Sequence, residues 1–142
     1  MSEKVLLVDD EPEFLATLSE RMTARGMDIT TAESAAEALD QVDKGNFDAI
    51  ILDLMMPGMD GIEAMKAIKE GHPEIQVILL TGHASLEKGI EAMKLGAMDF
   101  IEKPADIDSL TEKIKKAQAQ KMIFVEKRIE EKIKQIINAK GW

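Results

Sequence analysis

The sequence predicts an α/β fold: a doubly wound five-stranded parallel sheet with helices on both faces and an extended C-terminal helix. Three observations predict it. Five short apolar runs recur along the 142 residues, each bounded by turn residues. The segments between them space their apolar residues at three and four, so strand and helix alternate as a parallel sheet requires. After Pro104 no Gly or Pro interrupts the chain until Gly141.

The first run, Val5 to Val8, ends in Asp9 and Asp10. Pro12 suits the first position of a helix that follows Glu11, and that helix would bury Phe14, Leu15, Leu18 and Met22 before stopping at Gly26. Met27 to Thr31 is the second run. Ser34 with Glu37 forms a capping box for helix two, which buries Ala35, Ala38, Leu39 and Val42 and ends near Gly45. The third run, Ala49 to Leu52, leads into Asp53; Asp60 with Glu63 then opens helix three, which stops at Gly71. Ile75 to Leu80 is the fourth run, followed by a helix expected to bury Ile90, Met93 and Leu95 and to stop at Gly96. Met98 to Ile101 is the fifth.

The stretch from Asp106 to Asn138 has 33 residues, about 50 Å as a single helix. A domain of this size has a radius of gyration of about 13–15 Å, so such a helix projects beyond it. Ile107, Leu110, Ile114 and Ala117 would pack on the sheet, whereas Met122, Val125, Ile129, Ile133 and Ile136 continue an apolar stripe past its end. This divides the chain into a domain of residues 1–118 and a helical extension of residues 119–142.

Composition narrows the function. With 45% hydrophobic and 32% charged residues the chain has ordinary globular usage. It contains no Cys, which excludes disulfides and thiolate metal sites. No apolar stretch approaches the roughly 18 residues of a membrane span, and the short N-terminal run is no export signal, so a cytoplasmic protein is expected. The net charge of −9 disfavours general binding to nucleic acid or anionic membranes. Its distribution is uneven: residues 106–142 hold nine Lys or Arg against six Asp or Glu, a net of +3, which leaves −12 on residues 1–105.

Ligands of a doubly wound sheet bind outside the carboxyl ends of its strands. Asp9 and Asp10 follow strand one, Asp53 strand three, Thr81 strand four and Lys103 strand five, so all five residues fall on that edge. Three converging carboxylates oppose one another's ionisation unless a cation balances them. Oxygen ligands of this kind suit Mg²⁺, and Asp10 and Asp53 can supply them. Lys103 can neutralise a phosphoryl oxygen and the Thr81 hydroxyl can donate to another, which meets the electrostatic needs of phosphoryl transfer. The acceptor would be Asp53.

Four segments then carry a resemblance: Val8-Asp9-Asp10, the run from Leu52 to Gly61, Thr81-Gly82-His83, and the run from Gly96 to Pro104. Together they resemble the receiver domain of two-component response regulators, over roughly residues 4–118. The resemblance implies the flavodoxin-like strand order 2-1-3-4-5. It implies that Asp53 takes a phosphoryl group from a sensor histidine kinase or phosphotransfer protein. Asp10 would bind Mg²⁺ directly, Asp9 through water, and Met55 through its backbone carbonyl. Lys103 would hold the phosphoryl group, with a cis bond to Pro104. Thr81 and Phe100 would form the switch, Thr81 moving toward the phosphate and the ring turning inward. Phe100 stands where many relatives have Tyr, so the switch is one of packing rather than of a ring hydroxyl. Bulky Met55 suggests slow loss of the phosphoryl group.

Such a domain is a phosphoacceptor rather than an enzyme. An Asp-nucleophile phosphatase is the enzymatic alternative, but those enzymes carry a second acid two residues on, where this chain has Met55. A flavin module of the same topology needs a phosphate loop that Asp9-Asp10-Glu11-Pro12 would repel. A scaffold that no longer takes phosphate is the third alternative, and the complete residue set argues against it. The 24 residues after position 118 cannot hold a DNA-binding or ATPase module, so output is expected by contact with a protein, and the apolar stripe points to homodimerisation or docking.

Overall fold

A computed structural model describes residues 2–56, 61–82 and 86–139. Ten elements alternate in chain order: β1 Lys4–Val8, α1 Pro12–Ala24, β2 Asp28–Ala32, α2 Ala35–Lys44, β3 Ala49–Asp53, α3 Gly61–Gly71, β4 Gln76–Thr81, α4 Leu86–Lys94, β5 Asp99–Glu102 and α5 Ile107–Ala139. The strands form one sheet in the order β2-β1-β3-β4-β5, with every neighbouring pair parallel. The expected fold class and strand order hold.

Alternating side chains of each strand feed two cores. Val5 and Leu7 of β1, Ile51 of β3, and Ile78 and Leu80 of β4 meet Leu15, Leu18 and Met22 of α1 and Leu110, Ile114 and Ala117 of α5. Leu6, Val8, Ile50, Leu52 and Leu79 face Ala38 and Val42 of α2, Met65 and Ile68 of α3, and Ala92 of α4. Burial on both faces explains why the central strands read as unbroken apolar runs.

The local signals act as their chemistry dictates. Pro12 opens α1 after Glu11. The Ser34 hydroxyl accepts from the Glu37 N–H at 3.1 Å, while the Glu37 carboxylate reaches back to the N–H of Glu33, one residue before the cap. Gly26 and Gly96 sit at φ of +91° and +116° just after α1 and α4, in the left-handed region that side chains with a Cβ disfavour. The Asp60 cap of α3, His83 and the segment from Pro57 to Asp60 lie outside the described residues.

Helix α4 differs from expectation. Ile90 and Leu95 are 48% and 44% exposed and Met93 lies at the surface, while Gly89 and Ala92 face the sheet. Its buried face is built of small residues, so the helix approaches β4 and β5 closely and turns its larger side chains outward. Phe14 and Leu39 are likewise only partly buried against the cores.

Helix α5 runs unbroken for 33 residues. It begins shortly after β5, covers the sheet with Leu110, Ile114 and Ala117, and leaves at the amino-terminal edge of the strands. Polar contacts moor it there: Lys121 Nζ lies 2.7 Å from Asn46 Oδ1 and 3.5 Å from Asp48 Oδ1, and Arg128 lies 4.0 Å from Glu74. Asp48 also accepts from the Lys4 N–H at 2.9 Å and from Gln118 at 3.4 Å. Among the described residues, no helix is long and apolar enough to cross a membrane.

Candidate functional site

Parallel pairing brings the carboxyl ends of the strands to one edge. Val8 of β1 is level with Leu52 of β3, so Asp9 and Asp53 leave adjacent strands side by side. The Lys103 N–H donates to the Thr81 carbonyl at 2.8 Å, which fixes the chain after β5 against the end of β4. Asp9 is fully buried, Asp53 is 5% exposed, and Asp10 is the most open of the three acids. One carboxylate oxygen from each lies within 4.8 Å of the others.

Lys103 closes the cluster. Its ammonium lies 2.8 Å from Asp9 Oδ2, 3.5 Å from Asp53 Oδ2 and 3.7 Å from Glu11 Oε1, and 4.6 Å from the centre of the Phe14 ring. The bond from Lys103 to Pro104 is cis. Asp9 Oδ1 accepts from the Glu11 N–H at 2.9 Å, and Asp53 Oδ1 accepts from the Met55 N–H at 3.0 Å. These two turn contacts orient the carboxylates and leave their Oδ2 atoms toward the lysine.

Burial pushes the Asp53 carboxyl above the usual carboxylate range, the Met55 N–H opposes this, the Asp9 charge adds to it, and Lys103 draws it back. For Lys103, burial pulls downward, but the Asp9 hydrogen bond and the charges of Asp53, Asp9 and Glu11 together hold it above the ordinary lysine value. The site thus has a carboxylate reluctant to carry its charge beside an ammonium firmly holding its own. A further cation would relieve the first.

The donor set fits a hard divalent ion. All three clustered residues offer oxygen, and the buried Asp9 Oδ2 has the Lys103 ammonium beside it. Among the described residues, no imidazole joins the cluster, and the chain has no cysteine.

Of the residues singled out by sequence, Asp9, Asp10, Asp53 and Lys103 converge. Met55 stands beside them, its N–H on Asp53 and its side chain 56% exposed. Thr81 is fully buried and its hydroxyl donates to the Ile101 carbonyl at 3.4 Å, toward β5 rather than toward the acids. Phe100 is half-buried against the α2-α3-α4 core. Sequence reasoning missed three neighbours. Glu11 and Phe14 reach Lys103 from the start of α1, and no local pattern announces either. Gly89 of α4 lies over Thr81 and Phe100: a Cβ there would stand 3.3 Å from Thr81 Cγ2 and 3.9 Å from the Phe100 ring. Its signal was a glycine inside a helix, where Gly costs about 1 kcal/mol relative to Ala.

Residues 5–115 match the family model of the response regulator receiver domain. The chain belongs to that family. Among relatives of this receiver, the DNA-binding transcriptional regulator NtrC of Klebsiella pneumoniae is 39% identical over 102 residues, 72% of this chain and 22% of that protein. A response regulator receiver domain protein from Clostridium thermocellum superposes with a TM-score of 0.83 at 32% identity, covering 86% of this chain and 98% of that one. A structure described as adenylate cyclase from Rhodopirellula baltica reaches a TM-score of 0.87 at 30% identity, covering 93% of the receiver chain and 98% of its own. The receiver spans between 22% and 29% of the length of the curated relatives it matches.

Proposed function

We propose that this receiver is a phosphorylation-controlled switch in which Asp53 accepts a phosphoryl group from a sensor histidine kinase or phosphotransfer protein. The observation that carries the reading is the convergence of Asp9, Asp10 and Asp53 within 4.8 Å, with the Lys103 ammonium on their rim. An oxygen of Asp53 attacks phosphorus, the bond from phosphorus to the donor's imidazole nitrogen breaks, and the imidazole leaves with the electron pair. Lys103 neutralises an oxygen of the transferred group, and the Thr81 hydroxyl leaves Ile101 to donate to another. Asp10 and Asp53, Asp9 through water, and the Met55 carbonyl would hold Mg²⁺, which when bound supplies positive charge to the transferring oxygens.

The movement of Thr81 frees space beside the Phe100 ring, which turns inward against β4 and α4. This is a shift between two packings, biased by one new charge. The exposed Met55 side chain stands by the acceptor and slows hydrolysis by restricting water. In this reading the chain is an acceptor rather than a turnover enzyme. Residues 1–118 form the receiver, residues 119–142 form a helical extension, and output passes by contact to a protein, with homodimerisation through the extension. Nucleic acid and membrane are not direct partners.

Incubation with Mg²⁺ and a small phosphodonor, followed by intact mass, tests the chemistry. The chain is expected to gain one phosphoryl group, and Asp53→Asn to gain none. Labelling that persists in Asp53→Asn would overturn the assignment.

A further inference from the structure

The outward face of α5 changes character where the helix leaves the sheet. Over the sheet that face carries Thr111, Lys115 and Gln118; beyond it, Met122, Val125, Ile129, Ile133 and Ile136 take the same positions. Met122, Ile129, Ile133 and Ile136 are each more than half exposed. The residues that face the body, Leu110, Ile114, Ala117, Lys121 and Arg128, lie roughly 100° around the helix from this stripe. The seam is therefore separate from the face that holds the helix to its own domain.

Its period is informative. The steps from Met122 are three, four, four and three, and Met122 and Ile133 are eleven residues apart. Steps of three and four keep the five residues on one stripe of an α-helix, so two such stripes can run side by side. The charges beside the stripe are sorted by side. Glu126 and Glu130 lie along one flank and Lys132 along the other, on the side where Lys121 and Arg128 turn to the body. When two copies pair in parallel, the acidic flank of each runs beside the basic flank of its partner. Antiparallel pairing would set acid against acid and base against base.

We propose that the occupant of this seam is a second copy of the chain, paired in parallel and in register through residues 122–136. The inference rests on the homodimer reading above and adds its orientation. A two-fold axis along the helix pair places the two domains on opposite sides of the stalk, because each body lies to the side of its seam. Helix α5 leaves at the amino-terminal edge of the sheet, and the acid cluster lies at the carboxyl edge. Both Asp53 sites then face away from the stalk at one end of the dimer and stay open to a kinase.

The chain has no cysteine, so single cysteines report orientation directly. Met122→Cys and Ile136→Cys are oxidised separately and as a mixture of the full-length proteins, and the unsubstituted chain is sedimented across a concentration series. Parallel pairing is expected to link each variant to itself, with no gain in the mixture, and the apparent mass to double with concentration. Linkage confined to the mixture would show antiparallel pairing and overturn the orientation while leaving the dimer. A chain that stays monomeric, with neither variant linking, would overturn the dimer as well. Lys132→Glu is expected to weaken association roughly three-fold, and Glu126→Lys added to it to restore it. Equal affinity in all three proteins would remove the charge argument.

Discussion

Replacing Lys103 by Met removes the positive charge that faces the acid cluster while keeping most of the side chain's volume. At an effective dielectric of about 20, a unit charge pair at the 2.8 Å of Lys103 and Asp9 attracts by about 6 kcal/mol, and the 3.5 Å contact to Asp53 by about 5 kcal/mol. Most of this gross attraction offsets the cost of taking the charges out of water. Breaking a fully buried pair costs about 3–5 kcal/mol, and since the Lys103 side chain is 23% exposed, water softens the loss to about 2–3 kcal/mol. The pH dependence gives the result its signature. The Asp53 pKa is already raised, so its contribution to stability is greatest below the ordinary carboxyl range and is lost as pH rises through its folded value. Without Lys103 this loss grows, so the variant's deficit is smallest below the ordinary carboxyl range and widens as pH rises through the Asp53 folded value. In the parent chain the raised Lys103 pKa keeps its contribution intact at neutral pH and loses it only above the ordinary lysine range. Urea unfolding at several pH values, without metal, measures the difference. Mg²⁺ at about 100 times its Kd is expected to return about 2.7 kcal/mol. A variant within about 0.5 kcal/mol of the parent at neutral pH, or a deficit that ignores pH, would refute the electrostatic account.

Two further perturbations probe the switch and the moorings of α5. Gly89→Leu drives a side chain onto Thr81 and Phe100, and is expected to cost about 1–3 kcal/mol in thermal or urea unfolding. It should also leave phosphoryl uptake by mass intact while abolishing the accompanying change in Phe100 ring resonances; unchanged ring behaviour would separate Gly89 from the switch. Asp48→Ala strips acceptors from the Lys4 N–H, Gln118 and Lys121, with an expected cost of about 1–2 kcal/mol. Amides of residues 118–128 should then exchange faster than those of residues 107–117, and uniform protection along α5 would show that the moorings do not matter.

The apolar runs of β1, β3 and β4 were legible because strands buried on both faces need apolar residues at every position. Edge strand β2, Asp-Ile-Thr-Thr-Ala, is only partly buried, and its boundary was read one residue early. The buried face of α4 departs from the hydropathy pattern, which places its large apolar residues in the core. Close packing selected Gly89 and Ala92 instead, and hydropathy cannot distinguish a small residue at a tight contact from one that faces water.

The acid cluster was legible by position, since each acid or lysine follows an apolar run and parallel strands end on one edge. Sequence by itself determined the fold class, the elements, the residues at that edge and the length of the last helix, all of which follow from local periodicity and capping chemistry. Only the tertiary structure decided that Lys103 binds Asp9 more closely than Asp53, that Glu11 and Phe14 join it, that the Thr81 hydroxyl turns to Ile101, and that α5 stays tied to Asp48. Those contacts join residues far apart in the chain, and their distances are set by how helices and strands pack, which one-dimensional patterns do not encode.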